Sequence, residues 1–295
     1  MGRAMACRAL LITGGAFVLA AGSISGAGAS ARTSASDTFT TIDFPGATLT
    51  IAVGINKSGD IVGNYRDSTG FVHGFIDQGG TFTTIDVPGA ISTDATGVND
   101  KGEIVGQYTD STGRIHGFTD QGGTFTTIDV PGATFTTALG VSDNGEIVGT
   151  YAIGAGATHG FIDERGTFTT VDFPGATSTS VRGVNRHGLI VGLYTDGTGA
   201  AHGFTDQGGT FTTIDVPGAS FTAALGVNDH GLIVGEYRGS TGVSHGFTDE
   251  RGTFTAIDVP GAGSTTAIGV NDRRLVVGDY TNGSGIHGFE FSPEG

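Results

Sequence analysis

The sequence contains no tryptophan and a single cysteine, Cys7, in 295 residues. This cysteine lies in an N-terminal segment in which Arg3 and Arg8 precede a short apolar run and then small residues. The pattern is typical of a signal peptide spanning residues 1–31, with cleavage expected near residues 29–31 and a short leader at 32–37. The mature chain would then have no disulfide and no cysteine-based metal site, and we expect it to be secreted or periplasmic.

Basic residues and long apolar runs are also scarce. There are 14 Lys and Arg residues against 29 Asp and Glu, which gives a formal net charge of −15. Nucleic acids and anionic lipid surfaces attract proteins through basic patches, so neither is an expected partner. The N-terminal apolar run, residues 9–21, is shorter than the roughly 20 residues needed to span a bilayer. We therefore expect no membrane span.

The most prominent feature of the sequence is repetition with a step of 43 residues. Each unit contains four short segments rich in Val, Ile, Thr, Phe and Tyr, separated by turns rich in Gly, Asp, Asn, Ser and Pro, and this alternation predicts four strands. No segment shows the 3.6-residue apolar period of a helix. Four strands in about 43 residues is typical of one blade of a β-propeller.

The two ends of the repeat region predict how the ring closes. A fourth strand, Thr38–Asp43, precedes the first complete unit, and the chain ends just after the third strand of the last unit, Gly285–Phe291. The strand count balances if the N-terminal strand completes the C-terminal blade. We therefore predict an all-β, six-bladed propeller of four-stranded blades over residues 38–295. Such a closed ring leaves only short, protected sheet edges, and we expect a monomer.

A family resemblance rests on two motifs of the repeat. The H-G-F motif follows G-V-N-D-x-G-x-I-V-G, as in residues 97–106. Together they resemble the HAF-type extracellular repeat of exported bacterial proteins, with glycine where that name has alanine. The resemblance covers residues 38–291 and implies an exported, all-β repeat protein. It implies no activity and no catalytic residue.

Histidine and aspartate are predicted to pair in every blade. A hairpin centred on Gly79 and Gly80 sets the H-G-F histidine opposite the aspartate of the next strand, within cross-strand reach. The predicted pairs are His73–Asp86, His116–Asp129, His159–Asp172, His202–Asp215, His245–Asp258 and His287–Asp43. Because the motif occurs in each unit, we interpret these pairs as buried structural contacts rather than as six active sites.

The acidic turns raise the question of calcium. Residues 99–103 and 142–146 carry Asn, Asp, Ser and Glu oxygens near a glycine. They lack a third regularly spaced oxygen ligand and a distal bidentate glutamate, and their length suits a plain hairpin turn. Calcium remains an alternative, and no other cofactor or metal is expected.

Two charged residues interrupt the repeat on the first strand of a unit, which lines the central channel of a propeller. We call the residues at one position of the six repeats a column. Arg182 stands in a column otherwise occupied by Val53, Thr96, Leu139, Leu225 and Ile268. Asp94 interrupts the column two residues earlier in the repeat. A buried charge needs a partner or water, and the guanidinium fork of Arg182 suits a carboxylate or sulfate. We predict that Asp94 and Arg182 bind a ligand. The alternative is drift at tolerant positions whose side chains reach solvent.

These features favour binding over catalysis. The sequence has no G-x-S-x-G nucleophile motif, and the repeat histidines are committed to the predicted pairs. We interpret the protein as an exported module that binds an extracellular polymer or protein. The alternatives are a hydrolase or lyase with a site at the channel mouth, and a purely structural envelope or matrix protein. An enzyme would bring several dissimilar polar groups together at one mouth.

Overall fold

The computed structural model describes residues 30–31 and 37–293, and its repeat region forms six four-stranded antiparallel sheets arranged as a ring. The predicted six-bladed propeller is therefore confirmed. The predicted signal peptide and leader lie outside the described residues except for Asp37 and for Ser30–Ala31, a short strand that pairs in parallel with Thr255 and Ala256. Among the described residues, no helix is long and apolar enough to cross a membrane.

The four strands of each blade follow one another outward from the channel, and the blades are numbered here by the chain order of their first strands. The first strands are Leu49–Ile55, Ser92–Val98, Phe135–Val141, Ser178–Val184, Phe221–Val227 and Ser264–Val270. The second strands are Ile61–Arg66, Glu103–Thr109, Glu146–Ala152, Leu189–Thr195, Ile233–Arg238 and Val276–Asn282. The third strands are Val72–Asp77, Ile115–Gln121, Thr158–Glu164, Ala201–Gln207, Ser244–Glu250 and Gly285–Ser292. The fourth strands are Phe82–Ile85, Thr124–Ile128, Thr167–Val171, Thr210–Ile214, Thr253–Ile257 and, for blade 6, Thr38–Ile42.

The N-terminal strand closes the ring as predicted. Thr38–Ile42 runs antiparallel to Gly285–Ser292, with Thr38 opposite Ser292 and Ile42 opposite Gly288. Phe39 packs against Phe291, with ring centroids 4.8 Å apart. Blade 6 is therefore built from both ends of the repeat region.

The apolar core is divided among the blades, and the phenylalanine of each H-G-F motif is fully buried in it. These residues are Phe75, Phe118, Phe161, Phe204, Phe247 and Phe289. The V-G-x-Y glycine of the neighbouring strand makes room for this ring. A Cβ at Gly63 would overlap the carbonyl oxygen of Ile51 and lie 2.9 Å from the ring of Phe75. The repeated glycine is thus explained by close packing rather than by backbone conformation.

A second set of glycines narrows the channel where neighbouring first strands approach each other most closely. A Cβ at Gly54 would lie 3.1 Å from the Cα of Gly97, and one at Gly269 would lie 3.3 Å from the Cα of Gly54. We call this set the glycine collar. Its members are Gly54, Gly97, Gly140, Gly183, Gly226 and Gly269. Larger side chains would push the blades apart.

The ring has two different faces. The turn face carries the turns between first and second strands and between third and fourth strands, and the connector face carries the remaining connections, including P-G-A. Side-chain amides link neighbouring blades on the turn face. Asn271 Nδ2, for example, donates to the carbonyl oxygen of Asn56 at 2.9 Å and so joins blade 6 to blade 1. Ser142 interrupts this amide ring in blade 3.

Candidate functional site

All six histidine–aspartate pairs are in hydrogen-bonding contact. The pairing of Phe75 with Thr84 is the register expected from the sequence. In each blade the histidine Nδ1 lies 2.8 to 3.1 Å from the carboxylate oxygens of its aspartate. The histidine ring also packs against the tyrosine of V-G-x-Y, with centroids 5.1 Å apart for His73 and Tyr65. The pairs are distributed around the rim of the ring and do not converge on one site.

The expected burial of these pairs is wrong for their aspartates, although His116 is buried. The aspartate side chains are between 33% and 49% exposed. Each aspartate directly follows the outermost strand of its blade. It therefore lies at the rim of the ring, where water reaches the carboxylate. Solvent weakens such an interaction, so each pair contributes less to stability than a buried pair would.

A second carboxylate reaches the other ring nitrogen in three blades. Nε2 lies 3.5 Å from Asp67 for His73, 3.3 Å from Asp110 for His116 and 3.6 Å from Asp196 for His202. The hydrogen bond to Asp215 is the main cause that raises the pKa of His202. The hydroxyls of Thr69 and Thr198 are the main causes that lower the pKa values of Asp67 and Asp196 to about 2.

The channel widens on the connector-face side of the glycine collar into a cavity of about 680 Å³. Ser178, Thr195 and Phe221, which stand at strand ends next to the connectors, lie at its mouth. Both predicted ligand-binding residues, Asp94 of blade 2 and Arg182 of blade 4, line this same cavity. Its wall also contains the apolar side chains of Val53, Leu139, Leu193, Leu225 and Ile268 and the hydroxyls of Thr96, Thr137, Thr150, Thr158, Ser178, Ser180 and Thr195.

The variable position of V-G-x-Y supplies further cavity residues that the sequence-based prediction did not include. It holds six different residues in six blades, which are Asn64, Gln107, Thr150, Leu193, Glu236 and Asp279. The first five line the cavity. Strand pairing sets Asp94 opposite Gln107 and Thr266 opposite Asp279. The variable position of V-G-x-Y on the second strand therefore faces the channel on the same side of the sheet as the first-strand column that contains Asp94. The sequence signal that could have identified these cavity residues was the variation at one position of an otherwise constant motif.

Arg182 lies deep in the cavity wall with unused hydrogen-bonding capacity. Its Nε is buried and has no hydrogen-bond partner, and its guanidinium makes no hydrogen bond to any other residue that the structure describes. Burial lowers the pKa of Arg182, and the charge of Glu236 partly opposes this effect. Glu236 is also close to Arg238, with 3.4 Å between Oε1 and Nη2, and Arg238 lies 4.6 Å above the ring of Phe221.

Asp94 and Asp279 are half-buried carboxylates without a cationic partner among the described residues. Asp94 accepts a hydrogen bond of 3.3 Å from Gln107 Nε2. Burial raises the pKa of Asp94. Burial, with a smaller contribution from the charge of Glu236, raises the pKa of Asp279 to about 6. Two carboxylates, Asp94 and Glu236, therefore line the cavity, and Asp279 stands in the same channel-facing column as Glu236. Asp94 and Asp279 have no salt bridge among the described residues.

The carboxylates at the opposite, turn-face mouth of the channel bind backbone groups of the neighbouring blade. Asp100 Oδ1 accepts from the backbone N–H of Lys57 at 2.7 Å, and Asp272 Oδ1 accepts from that of Asp229 at 2.9 Å. Within residues 30–31 and 37–293, no group of three or more His, Cys, Asp or Glu residues is arranged to hold a metal ion. The acidic turns raised as calcium loops form hairpin turns that also join the blades.

Comparison with known proteins supports the fold. No family model and no curated protein matches this chain. Among solved structures, AofleA from Arthrobotrys oligospora has a TM-score of 0.56 and 12% identity over 92% of this chain and 91% of its own. SapL1 lectin, solved with α-methyl fucoside, has a TM-score of 0.55 and 15% identity over 83% and 93%. Aleuria aurantia lectin, described as a six-bladed β-propeller with a novel fucose recognition mode, has a TM-score of 0.52 and 12% identity over 85% and 93%.

A sialidase from Trypanosoma rangeli is similar over less of its length. Its TM-score is 0.51 and its identity 10%, over 88% of this chain and 60% of the sialidase. Sequence identities this low show a shared fold and carry no residue correspondence. These similarities establish the propeller architecture.

Proposed function

We propose that this chain is an exported propeller that binds an extracellular carbohydrate polymer in the cavity of the connector face. The observation that carries the proposal is the asymmetry of the cavity. Its lining differs from blade to blade, whereas the rest of the repeat is nearly constant. Residues repeated six times would present six equivalent poses to a small asymmetric ligand. A single binding pose requires residues that occur once, such as Asp94 and Arg182.

The chemistry of the cavity suits a sugar. Hydroxyls, the amides of Asn64 and Gln107 and a few charged groups alternate with aliphatic side chains, which is the mixture needed to bind the polar edges and apolar faces of a sugar ring. Two of the solved structures with this fold are described as binding fucose or a fucoside. In our proposal Arg182 donates to ligand oxygens and Asp94 accepts from ligand donors.

The test is binding of an oligosaccharide panel to the wild-type protein and to Arg182→Ala. Loss of charge-assisted hydrogen bonds should weaken the binding of a cavity ligand by about tenfold or more. Asp272→Asn, at the turn-face mouth of the same channel, is the control and should bind normally. Equal affinity of the wild type and Arg182→Ala, or a ligand bound elsewhere on the ring, would contradict the proposal. A panel without any binder would favour the purely structural alternative.

A second candidate function is glycoside hydrolysis in the same channel. The observation in its favour is that Glu236 and Asp279 stand at the channel-facing position of V-G-x-Y in neighbouring blades, where burial, with a smaller contribution from the charge of Glu236, raises the pKa of Asp279 to about 6. Acid–base cleavage of a glycosidic bond uses two carboxyl groups, one of which holds a proton to donate. The test is release of reducing ends from oligosaccharides that bind. Turnover that is lost in both Asp279→Asn and Glu236→Gln would establish the enzyme, and binding without turnover would leave a binding protein.

Export is part of the proposal and rests on the N-terminal sequence. The small residues at 27–29 and 29–31 offer two cleavage positions. Expression with the full N-terminus should therefore give an extracellular or periplasmic protein that begins at Ser30 or Arg32. N-terminal sequencing measures this directly, and an uncleaved intracellular product would contradict export.

A further inference from the structure

The charges of the cavity do not balance. Glu236 Oε1 lies 3.4 Å from Arg238 Nη2, and Glu236 shares the cavity wall with Arg182, so its charge has cationic partners. Asp94 has only the amide of Gln107, and Asp279 has no salt-bridge partner among the residues that the structure describes. Two carboxylates at the channel wall are therefore left without a counter-charge. A buried charge without a partner is costly, and a ligand that supplies the missing charge removes that cost.

The unbalanced carboxylates lie on one side of the ring. Asp94 belongs to blade 2 and Asp279 to blade 6, and these blades flank blade 1, whose cavity residues Val53 and Asn64 are uncharged. Arg182 belongs to blade 4, which faces blade 1 across the six-bladed ring. The channel thus has an acidic side around blade 1 and a donor side at blade 4. A ligand with a cationic group at one end and hydroxyl oxygens at the other would complement both sides of the channel.

Arg182 adds an independent observation that points to a ligand. Its Nε is buried without a partner and its guanidinium makes no hydrogen bond within the described residues, although the side chain lines the cavity. A buried guanidinium normally forms several charge-assisted hydrogen bonds. Oxygen atoms of a ligand would provide the acceptors that the protein does not.

We propose that the cavity selects an amino sugar, that is, a carbohydrate with a free primary ammonium group. The ammonium lies on the side of Asp94 and Asp279, and ring hydroxyls accept hydrogen bonds from Arg182. This inference rests on the proposed carbohydrate-binding function and adds the charge of the ligand to it. An anionic sugar is the opposite possibility, since the fork of Arg182 suits a carboxylate. It is disfavoured because Glu236 lines the same cavity as Arg182, and because Glu236 and the two unpaired carboxylates would repel an anion.

The experiment compares three probes of equal length: an oligomer of glucosamine, its fully N-acetylated counterpart, and an oligomer of glucuronic acid. Affinity and stoichiometry are measured by calorimetry at one neutral pH and fixed salt concentration. We expect one glucosamine oligomer to bind per chain, about tenfold more tightly than the N-acetylated oligomer, with no measurable binding of the uronic acid. The N-acetyl probe keeps the ring and removes only the charge.

Matched variants locate the binding site of the ammonium. Asp94→Asn and Asp279→Asn should each remove most of the preference for glucosamine, while affinity for the N-acetylated oligomer stays the same. Asp272→Asn removes the same charge at the opposite mouth and should change neither affinity. Should an asparagine variant fail to fold, Asp94→Thr and Asp279→Thr replace it, because threonine occupies the equivalent position in another blade at Thr137 and Thr150.

The outcomes separate this inference from the proposed function. Binding of the N-acetylated oligomer or the uronic acid at least as tight as that of glucosamine, and lost in Arg182→Ala, would overturn the amino-sugar inference and keep the cavity as a sugar site. Glucosamine binding that is unchanged in both Asp94→Asn and Asp279→Asn would show general attraction to an acidic protein and would also overturn the inference. Absence of binding by all three probes and by the wider panel would overturn both proposals.

Discussion

Replacing Asp279 with asparagine should stabilise the protein at pH 8 and have little effect on its stability near pH 4. The pKa of Asp279 is raised from 3.8 to about 6, mainly by burial and also by the charge of Glu236. The folded state therefore holds the carboxyl proton of Asp279 more tightly than the unfolded state does. As pH rises from 3.8 through 6, the carboxylate must ionise in a site that disfavours its charge, and the free energy of unfolding falls.

The size of the effect follows from the shift. Each pKa unit corresponds to about 1.36 kcal/mol, so a shift of roughly two units costs about 2–3 kcal/mol of stability at every pH well above 6. Asparagine has nearly the same shape and no charge, and it avoids this cost. For a domain of this size, the gain corresponds to a rise of the melting temperature of roughly 5 °C at pH 8. Near pH 4 the folded-state carboxyl is protonated, and the gain should be under about 1 kcal/mol.

The assay is thermal unfolding of wild type and Asp279→Asn at pH 4 and pH 8, with chemical denaturation where unfolding is reversible. Glu290→Gln, on the third strand of the same blade, is the control for the loss of one negative charge. A rise of the melting temperature of equal size at both pH values, or in both variants, would refute the reasoning. So would destabilisation by Asp279→Asn at pH 8, because it would mean that the ionised carboxylate has a stabilising partner.

Three further changes test the architecture by denaturation and size-exclusion chromatography. His116→Ala should cost about 1 kcal/mol, because water reaches its partner Asp129, and a loss of several kcal/mol would contradict the observed exposure. Deletion of residues 38–43 should expose the edge of the last blade and cause aggregation or strand exchange, whereas an unchanged monomer with an unchanged melting temperature would contradict closure by this strand. Gly63→Ala should destabilise by roughly 1–3 kcal/mol, because its Cβ would overlap the carbonyl of Ile51, and a neutral result would disprove the packing role of the V-G-x-Y glycine.

The propeller fold was accessible from the sequence because its determinants are local and repeated. Turn residues at a constant step of 43 specify four strands per unit, and the hairpin at Gly79 and Gly80 is short enough to set the register that brings His73 opposite Asp86. Ring closure was also accessible, since an unpaired fourth strand at one end and a missing one at the other can satisfy their backbone hydrogen bonds together. The interruption of a regular column was enough to single out Asp94 and Arg182 as channel residues.

The composition of the cavity was decided by the tertiary structure. Glu236 and Asp279 lie 43 residues apart in sequence and in different blades, and they influence each other because the ring brings the second strands of neighbouring blades together around one channel. The exposure of the histidine–aspartate pairs was decided in the same way, by the position of each aspartate at the rim of a complete blade. Repeating units determine contacts within a blade through short-range turns and strand pairing. Which single-copy side chains meet at the channel, and which charges remain unbalanced there, depends on the assembly of all six blades around the axis.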